Sequence, residues 1–252
     1  MSDSPLVDRN QVNKATLALI KWAKKNADKN QNIVGNHQSL WVVVTTKKFP
    51  DSVKVKPVPI PISHSLYKDA DICLFTKDPQ RTYKDMVAEA NLPQIKKVIG
   101  ISKLKSKFKP YEAKRQLNDS YDLFLVDEPV VEFLPKALGK SFFNKKKLPV
   151  TVDLKRKGIK KEYERILTST LIRFNKGTCT SIKAGTTDFT ADDLTDNVLD
   201  VIEGVSNKFP GGWDNIQSIH LKTGESIALP IYAALPDEPI GSPAETVSDA
   251  DP

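Results

Sequence analysis

"DICLFTKDPQRTYKDMVAEAN", residues 71–91, sets a short, wholly apolar run against a proline and then a helical pattern. Ile72 to Phe75 leave no polar face, which is how a strand covered on both sides reads. Pro79 stands where a helix accepts proline, in its first turn. The same pairing recurs downstream. KKVIGIS reads as a second strand and KPYEAKRQLND as a helix. YDLFLVDE is a third buried strand, PVVEFLPKALGK a third helix, and LPVTVDL closes the series. Strand and helix alternating over roughly ninety residues predict a parallel sheet covered by helices.

Outside this block the pattern changes. Val12, Ala15, Leu19, Trp22 and Ala23 mark an amphipathic helix over residues 11–25. LWVVVTTKKF reads as a strand. SVKVKPVPIPI alternates, and Pro57, Pro59 and Pro61 confine it to a sheet edge because each removes a ladder donor. After Asp153, IKKEYERILTSTLIRF predicts a long amphipathic helix with Tyr163, Ile166, Leu167 and Leu171 on one face. TCTSIKAGT is an alternating strand. Thr190 caps the helix ADDLTDNVLDVIEGVSNKF, with Asp192 and Asp193 at its positive end. SIHLKTGESIALPIY reads as strand, turn, strand. The expected fold is α+β with an inserted α/β segment. Residues 1–62 and 154–235 form one discontinuous α+β domain, and residues 63–153 form a Rossmann-like three-layer insert. Two crossing strands between them make a hinge. Residues 236–252 have the composition of an acidic disordered tail.

The chain has 252 residues and a formal net charge of +7, concentrated in segments. From Lys96 to Arg115 only Glu112 opposes the bases, and from Lys136 to Lys161 only Asp153 does. Such segments suit a polyanion, most often nucleic acid, or else the solvated faces of helices. No run is apolar and long enough to span a bilayer, and MSDSPLVDRNQV lacks a signal-peptide core, so an intracellular soluble protein is expected. Cys73 and Cys179 lie in apolar or alternating stretches and read as buried free thiols.

Catalytic signals are thin. There is no GxGxxG, P-loop or GxSxG. His37, His64 and His220 lack metal-ligand spacing, and Asp127 with Glu128 reads as a helix N-terminal charge pair. Neither a metal, a cofactor nor enzymatic activity is expected. Binding signals are better. Lys145, Lys146 and Lys147 sit on a connector, not on a helix face. Lys47 and Lys48 end a strand. Lys222, Thr223 and Gly224 lie in a turn that reads locally as an ordinary hairpin connection, and its glycine also lets a phosphate or ribose come close.

Four stretches, in order, resemble the ribosomal protein L1 family, the mobile-stalk protein of the large ribosomal subunit. They are PIPISHSLYKDADICLFTK, YDLFLVDEPVVEFLPKALGKSFFNKKKLP, SIKAGTTDFTADDLTDNVLDVIEGV and IQSIHLKTGESIALPIY, and the resemblance as a whole covers most of residues 11–235. His37 and Gln38, ahead of Ser39, stand where the stalk protein carries an RNA-contacting lysine-phenylalanine pair. The terminal turn lacks the family's methionine. HSLYK, LPKALG and LPIY are similar to the eukaryotic nucleolar branch of L1-domain assembly factors. The resemblance implies a non-catalytic factor that binds pre-rRNA of the large-subunit precursor near the internal transcribed spacer. The alternatives are the small-subunit precursor, or a protein-interaction scaffold within pre-ribosomes. It implies docking through His37, Gln38, Ser39 and the terminal hairpin, with pre-rRNA, other assembly factors and ribosomal proteins as partners. A nucleolar location follows, with neither a membrane nor a small-molecule substrate.

Overall fold

The computed structural model describes residues 7–29, 38–48, 57–68, 70–140, 142, 147–154, 158–174, 177–209 and 211–234. The parallel block forms as its sequence predicts. Strands β3 (Ile72–Thr76), β4 (Ile95–Gly100), β5 (Leu123–Asp127) and β6 (Val150–Val152) make one parallel sheet in the order β4-β3-β5-β6. Every residue of β3 and β5 is buried, so both faces are covered. Helix α2 (Gln80–Glu89) covers one face. Helices α3 (Ile101–Ser106), α4 (Tyr111–Ser120) and α5 (Leu134–Leu138) cover the other, where Phe75, Phe124 and Phe142 pack with Leu104, Leu117 and Leu134.

A second helix lies on the α2 face, and it moves an expected boundary. Helix α6 (Ile159–Leu167) buries Tyr163 and Ile166 among Ile72, Leu74 and Leu125 of the parallel sheet. The parallel unit therefore packs as far as Leu167 and does not end at Asp153. The long helix expected to run on to Phe174 stops at Leu167 as well. Thr168 Oγ1 and Ser169 Oγ bond back to the carbonyls of Glu164 and Arg165, which offers the backbone an exit from the helix. The β-branched residues that follow become strand β7 (Ser169–Ile172).

Strand β7 pairs antiparallel with β2 (Val58–Pro61), and these two form a separate two-stranded ribbon where the chain enters and leaves the parallel unit. Pro59 and Pro61 lie in β2, which has a partner on one side only, as the missing donors require. The remaining elements form the antiparallel unit. Its sheet has the order β10-β9-β1-β8, from β1 (Ser39–Thr46), β8 (Cys179–Thr186), β9 (Ile216–Lys222) and β10 (Leu229–Ala233). Helices α1 (Arg9–Lys29) and α7 (Ala191–Lys208) cover one face. Val12, Leu19, Leu194, Val198 and Val201 meet Val42, Ile182 and Ile219 there. The Thr190 hydroxyl accepts from the Asp193 N–H, which caps α7 as expected.

One cysteine differs from expectation. Cys73 is fully buried, and burial pushes its thiol up to about 12. Cys179 is exposed, because it starts β8 on the face away from the helices.

Candidate nucleic-acid interface

Strand alternation decides what the helix-free face of the antiparallel sheet presents. In β1, Leu40, Val42 and Val44 point into the core, so Ser39, Trp41, Val43 and Thr45 share the other face. The same parity puts Ser181 and Lys183 of β8, and His220 and Lys222 of β9, on that face. Register then aligns them. Trp41 pairs with Lys183 on one side and Lys222 on the other, and Val43 with Ser181 and His220. Directly opposed residues have Cβ atoms about 5 Å apart. The result is a half-buried indole with a lysine on each flank. A π-face between two cations suits a nucleobase and the phosphates on either side of it.

Part of this row forms one wall of a cleft of about 900 Å³. Ser39, Trp41 and Lys183 face Lys68, Asp122 and Lys147 of the parallel unit across it. Burial lowers the pKa of Lys183; Asp122 opposes that shift and Lys147 adds to it. Arg173, just past β7, is likewise lowered by burial, and Tyr67 opposes that shift. Its Nη2 donates to the Leu148 carbonyl at 3.2 Å, a tie from the ribbon to the connector before β6.

The crossing itself is fixed by polar groups of α7. The Asn197 Oδ1 accepts from the His64 N–H at 2.8 Å, and its Nδ2 donates to the carbonyls of His64 and Ala184, each at 3.0 Å. Asp200 Oδ2 accepts from both the N–H and the hydroxyl of Ser63. Asn197 is fully buried, so one side chain holds both backbone groups of His64.

The candidate residues read from sequence separate into groups. Gln38, Ser39, Lys222, Thr223 and Gly224 gather at one end of the sheet. The backbone of Gln38 bonds to Thr187 in both directions, and Ser39 opens β1. Thr223 is fully buried, and its N–H donates to the Ser226 hydroxyl within the turn. Lys47 and Lys48 are exposed at the opposite end of β1, about 25–30 Å from Ser39. They are held there by backbone bonds to Asn215. Lys147 is half-buried, and its Nζ donates to the carbonyls of Tyr121 (2.9 Å) and Asn118 (3.2 Å) at the C-terminal end of α4. His37, Lys145 and Lys146 lie outside the described residues.

Trp41, Lys183 and His220 carry no RNA-binding signal in the sequence alone. Their signal was the shared parity of β1, β8 and β9, which becomes usable once the pairing register is known. Ile227, 78 % exposed beside the turn, is a further apolar group at this end.

An antiparallel α+β unit is interrupted by a parallel α/β unit, and Lys68, Lys147, Arg173 and Lys183 line the cleft between them. The chain belongs to the ribosomal protein L1p/L10e family, whose sequence profile matches residues 19–227. It is 33 % identical to the mouse (Mus musculus) ribosomal L1 domain-containing protein 1 over 90 % of this chain and 52 % of that protein. It is 38 % identical to a putative ribosome biogenesis protein of Schizosaccharomyces pombe over 92 % of this chain and 65 % of that one. The ribosome biogenesis protein UTP30 of Saccharomyces cerevisiae is 27 % identical, with 90 % and 93 % covered. The chain thus spans about half to two thirds of the length of the first two relatives.

Proposed function

We propose that the chain is a non-catalytic ribosome assembly factor that binds precursor ribosomal RNA. The observation that carries this reading is the row Lys183, Trp41, Lys222 on the helix-free sheet face, with Lys68 and Arg173 in the adjoining cleft. Relatives that include ribosome biogenesis proteins support the process. In this reading residues 1–62 and about 168–235 are the RNA-docking domain. The inserted domain runs from residue 63 to about 167 and closes over one side of the site. Contacts are mainly to phosphate and ribose, with Gln38, Ser39 and Gly224 admitting the backbone at the sheet end. The particle is the large-subunit precursor near its internal transcribed spacer, and the site of action is the nucleolus.

The test is anisotropy binding of the chain to structured fragments of both subunit precursors. Trp41→Ala, and separately Lys183→Glu with Lys222→Glu, are compared with the parent. Each is expected to weaken binding to the large-subunit fragment at least tenfold. The charge-reversed protein should also show a log–log salt slope shallower by about 1–2. Unchanged affinity and slope in both variants would remove the sheet face as the RNA site. Tighter binding to the small-subunit fragment would move the assignment to that particle.

A further inference from the structure

The insert has a basic surface that the sheet-face site does not use. Strand β4 is an edge of the parallel sheet. Its pairing with β3 jumps from Ile72–Ile95 to Cys73–Lys97, leaving Lys96 as a bulge residue. An edge bulge turns its residue out of the ladder. Exposed Lys96 lines a groove of about 430 Å³ together with Lys84 of α2 and Lys103 of α3, and among the described residues no carboxylate lines it. Lys97 directs its Nζ elsewhere, over the rings of Phe108 and Tyr121.

Helix α3 leads from the groove to exposed aromatics. Lys105 Nζ stands 5.1 Å from the centre of the Phe133 ring, and that ring is 51 % exposed. Tyr111, at the start of α4, is 63 % exposed. Lys107 and Lys109 lie between Lys105 and Tyr111 in the chain and are exposed. Acids also lie nearby: Asp78 Oδ2 accepts from Ser102 of α3, and Asp85 and Glu89 are exposed on α2. Glu112 pairs with Arg115 at 3.6 Å, and Glu128 and Glu132 lie in the 3₁₀ segment Glu128–Phe133. Lysine is depleted in protein–protein interface cores, and arginine and tryptophan are preferred there. A lysine-lined groove beside a helix whose Lys105 stands over an exposed ring suits an unpaired strand, with phosphates in the groove and bases on exposed rings.

We propose that the insert binds single-stranded RNA. Phosphates lie along Lys84, Lys96 and Lys103, and bases stack on Phe133 and Tyr111. The site stands independently of the sheet-face site and fails independently of it.

The test uses the full chain and a labelled oligouridylate of about twelve nucleotides, too simple in sequence to fold. Lys96→Glu with Lys103→Glu is expected to weaken binding at least tenfold. Phe133→Ala with Tyr111→Ala is expected to weaken it about tenfold. All four side chains are exposed, so the melting curves should match the parent. Lys21→Glu, exposed on α1 and in neither site, should leave oligouridylate affinity within about twofold, and the insert variants should still bind the structured fragment. An oligouridylate that does not bind at 0.1 M salt, or that responds to Lys222→Glu alone, overturns the proposal. Silent ring variants beside active lysine variants overturn the stacking part. Insert variants that bind the oligonucleotide normally but lose a protein partner make the surface a protein dock and also overturn it.

Discussion

Asn197 and Lys183 show how single residues set this molecule's geometry and its chemistry. Asn197 satisfies three backbone groups at a buried crossing. Asn197→Ala leaves all three without that partner in a site closed to water. The expected loss is about 2–4 kcal/mol, read as a lower denaturation midpoint with RNA contacts intact. Lys183 makes the opposite trade. Its charge is partly desolvated, and its pKa is lowered from the ordinary lysine value of 10.5. A lowered lysine pKa means that the native state binds fewer protons than the unfolded state in the window just below 10.5. Stability therefore rises with pH through that window, and the penalty is present in full below it. Lys183→Met removes the penalty. It should raise the melting midpoint slightly at neutral pH and flatten the alkaline rise, while RNA affinity drops. A variant that lost both stability and affinity would mean that the lysine is structural. None of this was visible in the sequence, where Lys183 was one alternating position in TCTSIKAGT.

Elements follow the sequence where local chemistry and tertiary packing agree. The run DICLFTKD, the Thr190 cap and the proline-bearing edge strand each became what their residues dictate, because no neighbour overrides them. The segment after Leu167 shows the reverse case. Leu171 continues the helical stripe of Tyr163 and Ile166, yet β2 needs an antiparallel partner, and Ser169–Ile172 supplies it. A strand on a two-stranded ribbon is specified by its partner more than by its own pattern, so periodicity misread it. The packing of α7 against this ribbon is also close. A Cβ on Gly204 would stand 2.3 Å from Ile60 Cγ2. In an isolated helix Gly→Ala gains about 1 kcal/mol, whereas overpacking a core costs about 1–3 kcal/mol. Gly204→Ala should therefore destabilise on balance by about 1 kcal/mol. Its cost should shrink in an Ile60→Ala background, measured as a double-mutant cycle.

At the scale of the whole molecule, the arrangement of the two units limits what can reach Trp41. The cleft of about 900 Å³ has the size of a small-molecule pocket, far too small for a folded RNA. Structured RNA can use the Lys183 side of the row only if the insert swings away about the β2–β7 ribbon. Among the described residues, the following bonds resist motion there. Arg173 Nη2 holds the Leu148 carbonyl, and the Ser65 hydroxyl holds the Leu167 carbonyl, while Asn197 and Asp200 anchor the ribbon end to α7. The last two move with the antiparallel unit and serve as the fixed side of the hinge. Arg173 is the tie across the gap, and its burial already disfavours its charge. Arg173→Ala should therefore shift the equilibrium toward open forms without unfolding either unit. Spin labels at the exposed positions of Gln217→Cys on β9 and Glu89→Cys on α2, in a Cys179→Ser background, report the separation. Cys73 is buried and stays unlabelled. The expected result is a longer and broader distance distribution in Arg173→Ala, and the same shift in the parent on adding structured RNA. Because an open site no longer has to be opened, Arg173→Ala should bind that RNA faster in stopped flow, even with one cation fewer. A distance distribution that neither the substitution nor RNA alters would mean that the two units form one rigid body and that RNA approaches from the Lys222 side alone.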